Sequence, residues 1–68
     1  MLVKRSFTLC GHRTSVALEP EFWQALDAIA QKDGKSAAAL VAETDAGRAP
    51  RENLASLLRL RVLRVLAA

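Results

Sequence analysis

The sequence predicts a mainly α fold with a short β-ribbon, assembled as a homodimer and extended by an additional C-terminal helix. Three observations predict it. Residues 13–18, RTSVAL, alternate in character, which is the period of a strand. From Pro20 the apolar residues recur at helical spacing instead. The chain has only 68 residues, with one cysteine and one histidine, so neither a disulfide framework nor a four-ligand zinc site supports it. Domains this small are marginal alone, and with 51% apolar residues self-association is the remaining route to a core.

The elements follow in order. Residues 3–9, VKRSFTL, alternate in part, with Phe7 and Leu9 on one side and Ser6 and Thr8 on the other. Residues 1–10 are therefore expected to form an N-terminal arm or an extra strand, ended at Cys10-Gly11. In the next strand Thr14, Val16 and Leu18 are the core face, and Arg13, Ser15 and Ala17 point outward. Pro20 suits a first helical turn, where its missing N–H costs nothing, and Glu19 and Glu21 complement the helix dipole there. Phe22, Leu26, Ile29 and Ala30 make an amphipathic stripe that Trp23 widens at one edge. Gly34 is placed to end this helix.

Ser36 is a ready N-cap for a second helix, with Ala37, Ala38 and Ala39 as strong helix formers and Leu40 and Val41 as its large apolar residues. That helix ends near Gly47, and Pro50 prevents helix from continuing through GRAPRE. A third helix is expected from about Asn53 to about Leu66. Leu54, Leu58, Val62, Val65 and Leu66 share one arginine-free sector, while Leu57, Leu60 and Leu63 lie among Arg59, Arg61 and Arg64. A helix apolar on more than one face packs against more than one neighbour. Residues 11–47 thus read as the core unit and residues 48–68 as a helix extending the dimer core.

A short strand with no obvious partner downstream needs its edges paired or covered. Unless residues 3–9 fold back on it, the simplest partner is the same strand of a second copy, antiparallel about a two-fold axis. Arg13, Ser15 and Ala17 would then face outward twice over.

RTSVALEPEFWQALDAIAQKDGKSAAALVAE resembles a ribbon-helix-helix domain, the fold of the Arc and MetJ repressors. It is most similar to short bacterial members carrying a GHRTSVxLE stretch, here Gly11 to Glu19, and the similarity continues into ENLASLLRLRVL. The resemblance implies DNA binding by a ribbon in the major groove, whose outward side chains read base edges. By position the readers would be Arg13, Ser15 and Ala17. Arg13 can pair bidentately with guanine, Ser15 can donate or accept, and Ala17 offers only a methyl contact. Phosphate contacts would come from Lys35, Ser36 and the Ala37 N–H at the start of the second helix, and from a basic arm carrying Lys4 and Arg5.

Charge agrees with this polarity. Residues 1–18 carry +3 with no acid, residues 19–47 carry −4, and residues 48–68 carry +4. Neither a phosphate loop nor a nucleophile with a nearby base stands out, so no enzyme activity, catalytic residue, cofactor or metal is expected. Cys10 is expected to be a small buried apolar group, His12 a turn or strand-edge residue, Trp23 a core or dimer contact, and the arginines of the third helix a solvated face. No targeting segment is evident and no stretch is long and apolar enough to span a bilayer, which leads to the expectation of a cytoplasmic protein. The predicted function is that of a transcriptional regulator or antitoxin-like autorepressor, a homodimer that forms a tetramer or tandem dimers on DNA. The alternative is a dimerisation module whose leucine-rich C-terminal helix binds a protein partner without DNA binding.

Overall fold

The computed structural model describes residues 1–68. Two strands, β1 (Val3–Leu9) and β2 (His12–Leu18), are followed by helices α1 (Pro20–Lys32), α2 (Ala37–Ala46) and α3 (Leu54–Ala67). Residues 3–9 are therefore a strand and not an arm. They fold back on β2 as an antiparallel hairpin, in register from Leu9 opposite His12 to Val3 opposite Leu18. Within one chain the expected strand thus finds a local partner before any second copy is involved.

The hairpin turn explains why it forms. Cys10 and Gly11 are its two loop residues, with φ of 51° and 81°. Positive φ at both positions is the type I′ geometry, whose twist matches that of paired strands. It also corrects the expectation for Cys10, which is exposed. A side chain at the tip of a two-residue turn has no core to enter.

The underside of the hairpin lies on the helices. Leu9, Val16 and Leu18 are buried, Thr14 is half-buried, and Phe7 packs against the core. The core closes with Trp23, Leu26 and Ala30 of α1, Leu40 and Val41 of α2, and Leu54, Leu58 and Val62 of α3. Trp23 belongs to this cluster, at 2% exposure, as expected of a core contact, and β1 supplies two of its partners. The indole Nε1–H donates to the Val3 carbonyl at 2.7 Å, and Phe7 of β1 stacks obliquely on the ring at 5.9 Å.

Local chemistry sets the helix ends. Glu19 caps α1 through its carbonyl, which accepts from the Phe22 and Trp23 N–H groups. At the other end Gly34 (φ 69°) turns the chain, Lys35 N–H donates to Ala30 O at 2.9 Å and Gly34 N–H to Gln31 O at 3.1 Å. These two bonds are a Schellman motif. Ser36 Oγ accepts from Ala39 N–H at 3.0 Å and caps α2, and Asn53 Oδ1 accepts from Ser56 N–H at 3.1 Å and caps α3. Between them, Glu52 accepts from Ala49 N–H and Arg48 donates to Glu52 O, closing the loop on itself.

Helix α3 splits its expected apolar sector. Leu54, Leu58 and Val62 are buried, whereas Val65 and Leu66 are exposed, as are Leu60 and Leu63. The apolar side chains of the last turns, Leu63, Val65 and Leu66, are left about half or more exposed, with little of the chain covering them. No helix is long and apolar enough to cross a membrane.

Candidate nucleic-acid interface

The outer face of the hairpin gathers one kind of chemistry. The register sets Lys4 opposite Ala17, Ser6 opposite Ser15, and Thr8 opposite Arg13. With period 2 these six residues share one face. All are exposed except Ala17, which is half-buried. Two are cationic, three carry hydroxyls, and none is acidic. Ser6 and Ser15 join their hydroxyls at 3.1 Å, linking the two rows at the middle. The expected readers Arg13, Ser15 and Ala17 are thus brought together, and Thr8 and Ser6 join them. These two come from β1, whose partial alternation already sets Ser6 and Thr8 on one side, and its pairing with β2 brings them onto this face.

Lys4 and Arg5, expected together on a basic arm, are separated. Consecutive strand residues face opposite ways, and Arg5 points to the helical side. Its guanidinium meets the Asp27 carboxylate bidentately at 2.9 and 3.0 Å and lies 4.6 Å from the Trp23 ring centroid. The hydrogen bond that Arg5 donates to Asp27 raises the Arg5 pKa, and the same bond lowers that of Asp27. Arg5 fastens β1 to α1 and is turned away from the outer face.

At the start of α2, Ser36 is engaged as the cap, and Ala37 contributes a first-turn N–H that has no intrahelical acceptor. Lys35 does not point at this end. Its ammonium runs along α2 to Glu43, and that hydrogen bond is the largest cause lowering the Glu43 pKa. Glu43 also pairs with Arg61 of α3 at 3.5 Å. The α3 arginines are partly engaged in holding elements together, since Arg59 donates twice to Glu19 at 2.9 and 3.0 Å.

The two-residue turn makes Leu9 and His12 a hydrogen-bonded pair, and the alternation of an antiparallel ladder then assigns the rest. Thr14, Val16 and Leu18 bond to β1. The N–H and C=O groups of Arg13, Ser15 and Ala17 point away from it, along the open edge of β2. A groove of about 290 Å³ runs beside this edge, lined by residues 14–17 and by Asn53, Leu54 and Ala55 at the start of α3. No group of three or more His, Cys, Asp or Glu residues is arranged to hold a metal.

No curated protein matches the chain. Among solved structures it is similar to an uncharacterized protein from Bordetella pertussis Tohama I, with 34% identity and a TM-score of 0.83. The match covers 98% of this chain and 57% of that one, so this chain spans little more than half the length of its neighbour. The ribbon-helix-helix domain model matches residues 2–66. A β-ribbon leading into α1 and α2, with that match over nearly the whole length, settles the family: this chain belongs to the ribbon-helix-helix domain proteins.

Proposed function

We propose that the protein is a DNA-binding transcription regulator, acting as a homodimer whose paired β2 strands enter the major groove. Ribbon-helix-helix domains are in general DNA-binding regulators and not enzymes. The observation that carries the reading is the outer hairpin face, which is cationic and hydroxylic without an acid while its underside is fixed on the core. Arg13 and Ser15 are the base readers and Ala17 a methyl contact. The Ala37 N–H and the Ser36 cap supply a phosphate site at the α2 N-terminus. Lys35 joins it by releasing Glu43, which keeps Arg61 as a partner.

The open edge of β2 supports the dimer. Its outward N–H and C=O groups are symmetric about Ser15, so an antiparallel copy would set Ser15 against Ser15 of the second protomer and Arg13 against its Ala17. Such an edge invites pairing, and this pairing removes it. A mobility-shift titration with random and genomic DNA tests the proposal. Retardation that is strong at low salt and falls steeply with added salt is expected. No retardation at low salt would contradict it.

One observation favours a second reading, a protein-interaction module. Leu60, Leu63 and Leu66 of α3 are 42, 54 and 74% exposed. In that reading α3 takes a protein partner and the ribbon serves only to dimerise. The titration above separates the two.

A further inference from the structure

We infer that β1 forms the outer rows of the DNA-facing sheet, with Lys4 and Thr8 holding phosphates at the two rims of the major groove. The inference rests on the dimer reading above and goes beyond it, since the ribbon alone needs only β2. If β2 pairs with its copy, each β1 stays attached outside it, and the sheet has the order β1-β2-β2-β1. Strands lie about 4.8 Å apart, so the β2 rows sit about 2.4 Å from the two-fold axis and the β1 rows about 7 Å. The major groove is about 12 Å wide, or about 6 Å on each side of its centre. The β2 rows therefore meet base edges, while the β1 rows lie over the rims, where the phosphates are.

The residues of β1 match that position. Lys4 and Thr8 are exposed on the outer face, and neither has a hydrogen-bond or ion-pair partner within the chain through its side chain. Lys4 stands across from Ala17, which is too small to screen it, and Thr8 stands across from Arg13. An ammonium and a hydroxyl are phosphate donors and carry no sequence information there. Two copies place one Lys4 and one Thr8 on each rim. Arg5, facing the other way, holds the strand in place through Asp27 and Trp23.

The experiment compares wild type, Lys4→Ala, Thr8→Ala and Arg13→Ala, with Lys4→Arg and Thr8→Ser as restoring variants, on one selected duplex and on random duplex across a salt series. Thermal melts confirm that each variant is folded. Lys4→Ala is expected to weaken binding to both duplexes alike, by about tenfold or more near 0.1 M salt. It should also reduce the log–log salt slope by about 1.8, because the dimer then neutralises two fewer phosphates. Thr8→Ala should weaken both alike by a few-fold with the slope unchanged. Arg13→Ala should remove the preference between duplexes. Lys4→Ala and Thr8→Ala binding like wild type, while Arg13→Ala loses preference, would overturn the rim assignment and leave the ribbon reading standing. Loss of preference in the β1 variants and not in Arg13→Ala would overturn it too, by placing β1 at the centre. If wild type binds neither duplex at low salt, both fail together.

Discussion

At the scale of single residues, the sequence made the outward triplet legible because strand alternation is a property of the backbone. Arg13, Ser15 and Ala17 fall on one face whatever they pair with. Arg13→Ala should abolish sequence preference, whereas Lys35→Ala should weaken binding evenly, measured by competition between specific and random DNA. Equal, sequence-independent weakening by both would contradict the readout role. What the sequence hid were the partners of long side chains. Alternation puts Lys4 and Arg5 on opposite faces of β1, but nothing in residue spacing shows that Arg5 meets Asp27 across 22 positions. That pair gives a pH prediction. The hydrogen bond from Arg5 holds the Asp27 carboxyl below the usual carboxylate range, so its contribution is complete above the unfolded value of about 4. It is lost as pH falls through the lower folded value. Asp27→Asn should flatten the acid limb of stability below about pH 4 and leave the limb above pH 7 alone. Both side chains are partly solvated, so the effect at neutral pH should be within about 1 kcal/mol. An unchanged acid limb would show that the pair is incidental.

At the scale of elements, the helices are readable because their ends carry their own signals, Pro20, Gly34, Ser36 and Asn53. Helix α3 is only half readable. Periodicity places Leu54, Leu58 and Val62 with Val65 and Leu66, but how far the neighbours extend decides which are covered. Leu58, fully buried, should cost about 2–5 kcal/mol when replaced by alanine. Leu66→Ser should cost within about 0.5 kcal/mol, because surface changes usually do. Denaturant unfolding measures both, and equal costs would mean that α3 packs differently. Residue pattern does not decide the hairpin, because its decisive feature is a turn conformation at Cys10, a residue whose type does not favour positive φ. Cys10→Asn supplies the residue that type I′ turns prefer and should raise stability by up to about 1 kcal/mol, since left-handed backbone costs an ordinary residue roughly 1–2 kcal/mol and Asn less. A loss would show that Cys10 has a contact elsewhere.

At the scale of the whole molecule, the strand pairing expected between copies is taken first within the chain, which leaves the outer edge of β2 for the proposed pairing between copies. A proline at Ser15 tests this edge, because that N–H points away from β1 and prolines are tolerated on edges. Ser15→Pro should keep the hairpin and give a monomer of 7.4 kDa by light scattering. Ser6→Pro, on the far edge of β1, should leave the dimer. A dimeric Ser15→Pro protein would place the contact elsewhere, with the exposed leucines of α3 as the next surface to vary. The most direct measurement of the central claim is selection of bound duplexes from a random pool by the wild-type protein. A two-fold ribbon reading bases through paired Arg13 and Ser15 side chains should enrich an inverted repeat, since the symmetry of the operator mirrors that of the protein. Recovery of no enriched sequence, or of one without two-fold symmetry, would contradict it.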